Sequence, residues 1–404
     1  MIMLETENLN VGYGKKVVVG DVNIKVKKGE ILCLLGANGA GKTTTLRTIS
    51  GLLNPMQGKV LFKGKDISHI AKKELAKKMA LVLTSRFTGS LMTVYNIVSM
   101  GRYPHTGFFG KLNDNDKSKV FEALKTVNAE NLIQRYFDEL SDGEKQKVLV
   151  ARALVQEPEI IILDEPTSHL DIKHRLELME ILKTLSKKNN IAVVLSLHEI
   201  DIALKSCDKV MLIKGNKVAA YGEPEDVVDE EILNGLYGLK NKNYNNLLGA
   251  IELKNPSEKK TFVVGGAGTA IPIFRALTKK EIGVYAAVLH ENDVDYEIGR
   301  TMGIGMCTVA PFKNIDEKAY KKAIENLKSM DYVVDSGFPI GNINKENVKI
   351  ICDAVEQGKR VYSLRRKSEG KDVFGKYNAK IVYKDSISCI VSEINGGVND
   401  GENL

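Results

Sequence analysis

The sequence lacks an apolar run long enough to cross a membrane: no stretch approaches the roughly eighteen consecutive apolar residues a spanning helix needs. It also lacks a secretory start. MIMLETENLN places Glu5 and Glu7 where an export signal would be basic and then apolar, so no export is expected. Cysteine is sparse: the five residues at 33, 207, 307, 352 and 389 are odd in number and include no C-x-x-C pair. That argues against a disulfide framework or a cysteine zinc site and suits inert thiols in a reducing cytosol. The six histidines are dispersed. His169 and His174 lie five apart, off a common helix face, which disfavours a metal pair. A strong excess of one charge is missing too: 58 Lys and Arg against 51 Asp and Glu leave +7. Such a balance suits an anionic ligand or an acidic membrane face and is too mild to argue for nucleic acid.

What is present is an ordinary globular composition, 43% hydrophobic and 27% charged over 404 residues, enough for two domains. Candidate strands Val22–Val26 and Ile31–Leu35 precede a glycine-rich turn and a helix, followed by a hairpin signal around Gly58 and Gly64. From about Ile67 to Arg152 the pattern is mostly helical, broken by the Gly- and Pro-containing section Gly101–Gly110. Ile160–Leu163 and Ile191–Leu195 are short apolar runs of the kind that form buried parallel strands. The Asn- and Lys-rich stretch 241–257 reads as a linker. Beyond it, 258–395 alternates strand and helix, which predicts a second, smaller parallel-sheet domain, and 396–404 reads as a loose tail.

Three segments carry chemistry. Gly36, Ala37, Asn38, Gly39, Ala40, Gly41, Lys42 and Thr43 fit G-x-x-x-x-G-K-[ST], after an apolar strand and at a helix start that continues with Thr44. The glycines let backbone N–H groups wrap a triphosphate, and the helix start adds about half a positive charge. Lys42 would reach the outer phosphates and the Thr43 hydroxyl would hold Mg2+. Next, Ile160–Leu163 ends in Asp164 and Glu165, placing one carboxylate for the Mg2+ shell and the next to polarise an attacking water. Last, Leu140-Ser141-Asp142-Gly143-Glu144-Lys145-Gln146 precedes a helix carrying Ala151-Arg152-Ala153-Leu154.

That last stretch resembles the signature of ATP-binding-cassette ATPases, in the variant familiar from importers of the iron-chelate and cobalamin type. Ser168-His169-Leu170-Asp171 is similar to the family's D-loop, His198 to its switch histidine and Tyr13 to its adenine-stacking aromatic. The resemblance covers residues 1–240 and implies an α/β fold: a P-loop ATP-binding-cassette domain with a helical subdomain, followed here by a smaller Rossmann-like parallel α/β domain. It implies ATP and Mg2+ as cofactors, Glu165 and His198 as catalytic groups, and Ser141, Gly143 and Glu144 as nucleotide contacts of the opposite copy. Two chains would then close head to tail around two ATP. The implied role is the energy-coupling subunit of an importer for an iron chelate, haem or cobalamin, peripheral on the cytoplasmic membrane face. Its partners would be a second copy, multi-helix permease subunits and an extracytoplasmic binding protein, with no nucleic acid. The alternative is a soluble cassette ATPase uncoupled from transport, with a ligand-sensing second domain.

One position departs from the family pattern: Thr84 stands where a Gln is usual. The stretch Met100–His105 resembles the partner-facing surface of such importers. In the second domain, Val263–Thr269 is a strand entering a glycine-rich turn, with Pro272 suited to the following helix. Glu291 is placed as a ribose-binding acid would be, but Ile271 replaces the third glycine of G-x-G-x-x-G. His290 and the basic run Arg365, Arg366 and Lys367 are candidate ligand contacts. A nucleotide, another small ligand and a purely structural role all remain open for this domain.

Overall fold

The computed structural model describes residues 1–83, 91–106, 111–238, 242–245 and 249–399. The chain divides into two compact units, Met1–Tyr237 and Gly238–Leu404.

The first unit is built on one large mixed sheet. Its central strands Met79–Val82, Ile160–Leu163, Ala192–Ser196, Ile31–Leu35 and Lys209–Lys214 run parallel in that order. Ile160–Leu163, Ala192–Ser196 and Ile31–Leu35 are wholly buried, which is why they read as unbroken apolar runs. The long strand Ile2–Tyr13 and its antiparallel partner Lys16–Val22 join this sheet through Lys217–Gly222. The expected strand Val22–Val26 is in fact two: Lys16–Val22 ends there, and Lys25–Lys27 pairs separately with Ile2–Tyr13.

The helical section packs Val94–Ser99, Asp114–Thr126 and Asp142–Leu154 together. Its Pro-containing turn Met100–His105 is pinned from inside. The Arg102 guanidinium is buried, 2.9 Å from Asp116 and 2.7 Å from the Val155 carbonyl. A buried cation with carboxylate and carbonyl partners makes this turn a fixed part of the subdomain. Thr84 lies outside the described residues.

The second unit holds a six-stranded, all-parallel sheet. Its order is Gly305–Val309, Gly283–His290, Lys259–Val264, Tyr332–Asp335, Arg360–Ser363, Val382–Tyr383. Numbered along the unit, that is 3-2-1-4-5-6, the doubly wound Rossmann order, with the reversal between Lys259–Val264 and Tyr332–Asp335. Strand Gly305–Val309, unassigned from the sequence, is one of the two edge strands. It is half-exposed, so its apolar signal is weak.

Two boundaries differ from expectation. Stretch 241–257 is not a plain linker. Strands Lys242–Asn245 and Ala250–Leu253 form an antiparallel pair in the second unit. Asn245 is fully buried, its amide 2.8 Å from the Thr301 hydroxyl, and buried Glu252 pairs with Arg275. The polar residues that suggest a linker are here used to fasten the hairpin to helices Val294–Met302 and Ile271–Thr278. The expected loose tail from 396 is helical to its 399th residue, in Ile387–Asn399. Ile390, Val391 and Ile394 seat that helix in an apolar cluster.

Candidate functional site

The site is assembled at the carboxyl ends of the first sheet's central parallel strands. Strand Ile31–Leu35 ends at Gly36, and helix Lys42–Ile49 starts six residues later. Backbone geometry explains the glycines. Gly41 has φ 105° and a Cβ there would come within 2.5 Å of Val19 and 2.7 Å of Val18. Only glycine lets the helix start lie against the Lys16–Val22 strand. At Gly36 a Cβ would meet the Ile213 carbonyl at 2.8 Å. Ala37, Asn38 and Gly39 are exposed, and no side chain caps the helix. Its first N–H groups are therefore open to an anion.

Lys42 is buried and folds back, its ammonium 2.9 Å from the Gly36 carbonyl and 3.7 Å from Glu165. Burial pulls this ammonium below the ordinary lysine range, against the opposing pull of Glu165 and Asp164. Thr43 donates to Asp164 at 3.1 Å. His198 Nε2 stands 2.6 Å from the Glu165 carboxylate. The structure thus brings Lys42, Thr43, Asp164, Glu165 and His198 together from segments as far as 156 residues apart, the span from residue 42 to residue 198.

Ser196 joins these residues without having been legible in the sequence. Its hydroxyl donates to Asp164 at 2.8 Å and accepts the Glu165 N–H at 2.9 Å. Glu165 has φ 46°, a left-handed conformation that a non-glycine residue adopts only when held. Ser196 holds it, and with it the direction of the carboxylate. A serine closing an apolar strand has no motif of its own; only its place beside Ile160–Leu163 could have flagged it.

Other candidates lie elsewhere. Tyr13 is half-exposed at the end of Ile2–Tyr13, on the hairpin that backs the phosphate loop at Gly41. Thr44 is buried in the loop helix. Ser141 and Glu144 form a capping box on helix Asp142–Leu154, 2.9 Å between the Ser141 N–H and the Glu144 carboxylate. Gly143 faces His174, where a Cβ would come within 2.5 Å of the ring. His174 in turn bonds Asp171, the N-cap of helix Ile172–Lys187, at 2.8 Å. Among the described residues no cluster of three or more His, Cys, Asp or Glu could hold a metal by itself.

Residues 19–168 match the family model described as ABC transporter, and residues 284–393 match the MJ0874 family. An uncharacterised ABC transporter ATP-binding protein of Methanocaldococcus jannaschii is 50% identical over 284 residues, 70% of this chain and 98% of the relative. The chain belongs to the ABC transporter ATP-binding proteins. Such proteins are ATPases. The iron(3+)-hydroxamate import ATP-binding protein of Bacillus subtilis is 36% identical over 59% of this ABC ATPase and 88% of the relative. A cobalamin import ATP-binding protein of Halobacterium salinarum is 30% identical over 322 residues, 78% of this chain and 80% of the relative. The solved inward-facing structure of a metal-chelate type ABC transporter has 30% identity and a TM-score of 0.53, covering 58% of this chain and 89% of that one.

The second unit of this ABC ATPase treats its own glycine-rich turn differently. Asp295 is fully buried and accepts the N–H groups of Ala270 at 3.1 Å and Ile271 at 3.0 Å, at the start of helix Ile271–Thr278. Asp293 accepts the Ala267 N–H at 2.8 Å. Burial pushes the Asp295 carboxyl up to about 6, against the amides that favour its charge. A ligand phosphate on this helix start would have to displace a built-in carboxylate. Glu291 is exposed and takes a hydrogen bond from Thr308 at 3.4 Å. His290 bonds the Lys313 carbonyl at 2.8 Å, and Arg365 is held by Asp335 at 3.0 Å and by the Phe338 carbonyl. The glycine-rich turn, Glu291, His290 and Arg365 thus each have a partner elsewhere in the second unit.

Proposed function

We propose that this chain is the energy-coupling subunit of a membrane importer, hydrolysing ATP as a head-to-tail pair with a second copy. The observation that carries the pairing is the division of labour within one chain. The phosphate loop has its base and switch histidine in place, while the signature residues Ser141 and Gly143 lie on a different helix start and pair with their own neighbours. A helix start is an anion site, so the signature of a second copy would complete the γ-phosphate shell.

Mg2+ fits the oxygen donors of Thr43 and Asp164 and would neutralise charge on the phosphates. Within the chain, Lys42 exchanges its carbonyl partner for the outer phosphates. Glu165 accepts a proton from the attacking water while Ser196 fixes its backbone, and His198 orients the carboxylate through Nε2.

A cavity of about 420 Å3 in the helical subdomain, lined by Met92, Tyr95, Ser99, Met100 and Tyr103, supports docking on multi-helix permease subunits at the cytoplasmic membrane face. Tyr103 is 73% exposed there. The names of the relatives favour an iron chelate or cobalamin as cargo, supplied by an extracytoplasmic binding protein. The long halobacterial match is one support for cobalamin. The test is transport of labelled cobalamin and ferric hydroxamates in vesicles with the cognate permease. Uptake that needs ATP and is lost with Glu165→Gln supports the reading. A chain that hydrolyses ATP at full rate yet stays monomeric in every nucleotide state overturns it.

A further inference from the structure

In the second unit the crevice at the strand-order reversal is filled by Asp295, Asp335 and Arg365, yet a separate cavity of about 410 Å3 opens beside the edge strand Gly305–Val309. Its volume falls within the range of small-molecule sites. Its floor is apolar, with Met306 and Val309 from strand Gly305–Val309 and Ala319 from helix Glu317–Leu327. Three lysines line it: Lys313, Lys318 and Lys322.

Their charge is uncompensated. Among the described residues none of the three has a carboxylate within ion-pair distance, whereas Lys321 on the same helix pairs with Glu317 at 2.7 Å. Lys318 and Lys322 stand four apart, where like charges repel along a helix. The one acid in the lining, Asp316, is already engaged as the helix cap, accepting the Ala319 N–H at 2.7 Å. Burial pushes the Cys307 thiol on the cavity floor up, against the Tyr285 hydrogen bond and the Lys322 charge. The rim is rigid. Phe312 has φ 61°, a strained state for an aromatic residue, and the next carbonyl is tied to His290 Nε2 at 2.8 Å. A preset rim, an apolar floor and three unanswered cations in one cavity match a small ligand bearing several negative charges.

We propose that the second unit binds a small polyanion, with two or more phosphate or carboxylate groups, through Lys313, Lys318 and Lys322. The site is independent of the ATP site and of the importer reading.

The test is per-lysine acetylation of the full chain, followed by mass spectrometry, with pyrophosphate or citrate present. An anion held against an ammonium raises its pKa by about one unit and so slows acylation about tenfold. Lys313, Lys318 and Lys322 should slow by that factor while Lys321 does not. In the Lys318→Gln/Lys322→Gln variant Lys313 should lose its protection. Protection by pyrophosphate alone assigns a phosphate ligand, by citrate alone a carboxylate one, and by both the shared chemistry. If neither anion slows these three lysines more than Lys321, the proposal fails. Protection of Lys42, read in the same spectra, reports an anion at the phosphate loop separately.

Discussion

The two units contain the same local device, a buried strand, a glycine-rich turn and an eight-residue helix, used in opposite ways. In the first, the turn at Gly36–Gly41 leaves its helix start uncapped, with Lys42 held nearby by carbonyls. In the second, the turn at Gly265–Ala270 is closed by Asp295 and Asp293 from the next loop and helix. Helix starts attract anions whether the anion is a ligand or a side chain. The sequence of the turn therefore does not decide whether a ligand enters. What decides is whether a carboxylate from elsewhere in the fold arrives first.

The largest effect should come from the open turn's own chemistry. Glu165→Gln removes the proposed proton acceptor beside His198 and should lower ATP hydrolysis about a thousandfold, the usual scale of a general base. Nucleotide binding should survive, because the phosphates rest on the loop and Lys42. Steady-state phosphate release alongside equilibrium binding of labelled ATP checks both halves. A variant that hydrolyses within about tenfold of the parent removes Glu165 from the catalytic role.

The filled turn should respond in stability. Asp295→Ala leaves the amides of Ala270 and Ile271 buried without an acceptor, which costs about 2–3 kcal/mol in the second unit. ATP hydrolysis at ambient temperature should not change. Asp295→Asn keeps one acceptor oxygen and should lose less. Chemical unfolding followed by a fluorophore in the second unit measures the difference. Should Asp295→Ala instead gain phosphate binding at this turn with no loss of stability, the carboxylate is a removable gate and the two turns are alike in kind.

A smaller effect is the pH dependence of the same group. The Asp295 carboxyl is raised to about 6 in the folded chain, above its unfolded value of about 3.9. A raised carboxyl stabilises the fold below its unfolded pKa, and that stabilisation is lost as pH rises through about 6. The second unit should therefore be about 1–2 kcal/mol more stable near pH 5 than near pH 7.5 from this group alone. Urea midpoints at the two pH values, compared with those of Asp295→Asn, isolate it. Equal pH slopes for parent and variant would show that another group sets the trend.

Much of the first unit was legible because phosphate binding is a local demand on the backbone. The spacing Gly36 to Lys42, and an apolar strand ending in Asp164 and Glu165, are written within a few residues each. The second unit's parallel sheet was legible from alternation alone, though not its edge strand Gly305–Val309, whose half-exposed residues blur the pattern. The hairpin in 242–253 was hidden because Asn243 and Asn245 look like linker residues until Thr301, more than fifty positions on, receives them. Asp295 was hidden for the same reason: its amide partners are 24 and 25 residues earlier. Side chains that serve distant backbone leave no periodic mark.

Ser196 is the sharpest case of that blindness, and its predicted effect is modest. Its hydroxyl bridges Asp164 and the Glu165 N–H without standing in the path of any proton. Ser196→Ala should leave Glu165 chemically intact but free to relax from its left-handed backbone. The expected loss in kcat is about tenfold, or about 1.4 kcal/mol of transition-state positioning, with KM for ATP little changed. A purely structural serine would instead lower thermal stability and leave kcat alone. Ser196→Thr, which keeps the hydroxyl, should recover most of the rate. If neither substitution moves kcat, the φ of Glu165 is held by the strand itself, and the open turn needs no partner outside its motifs.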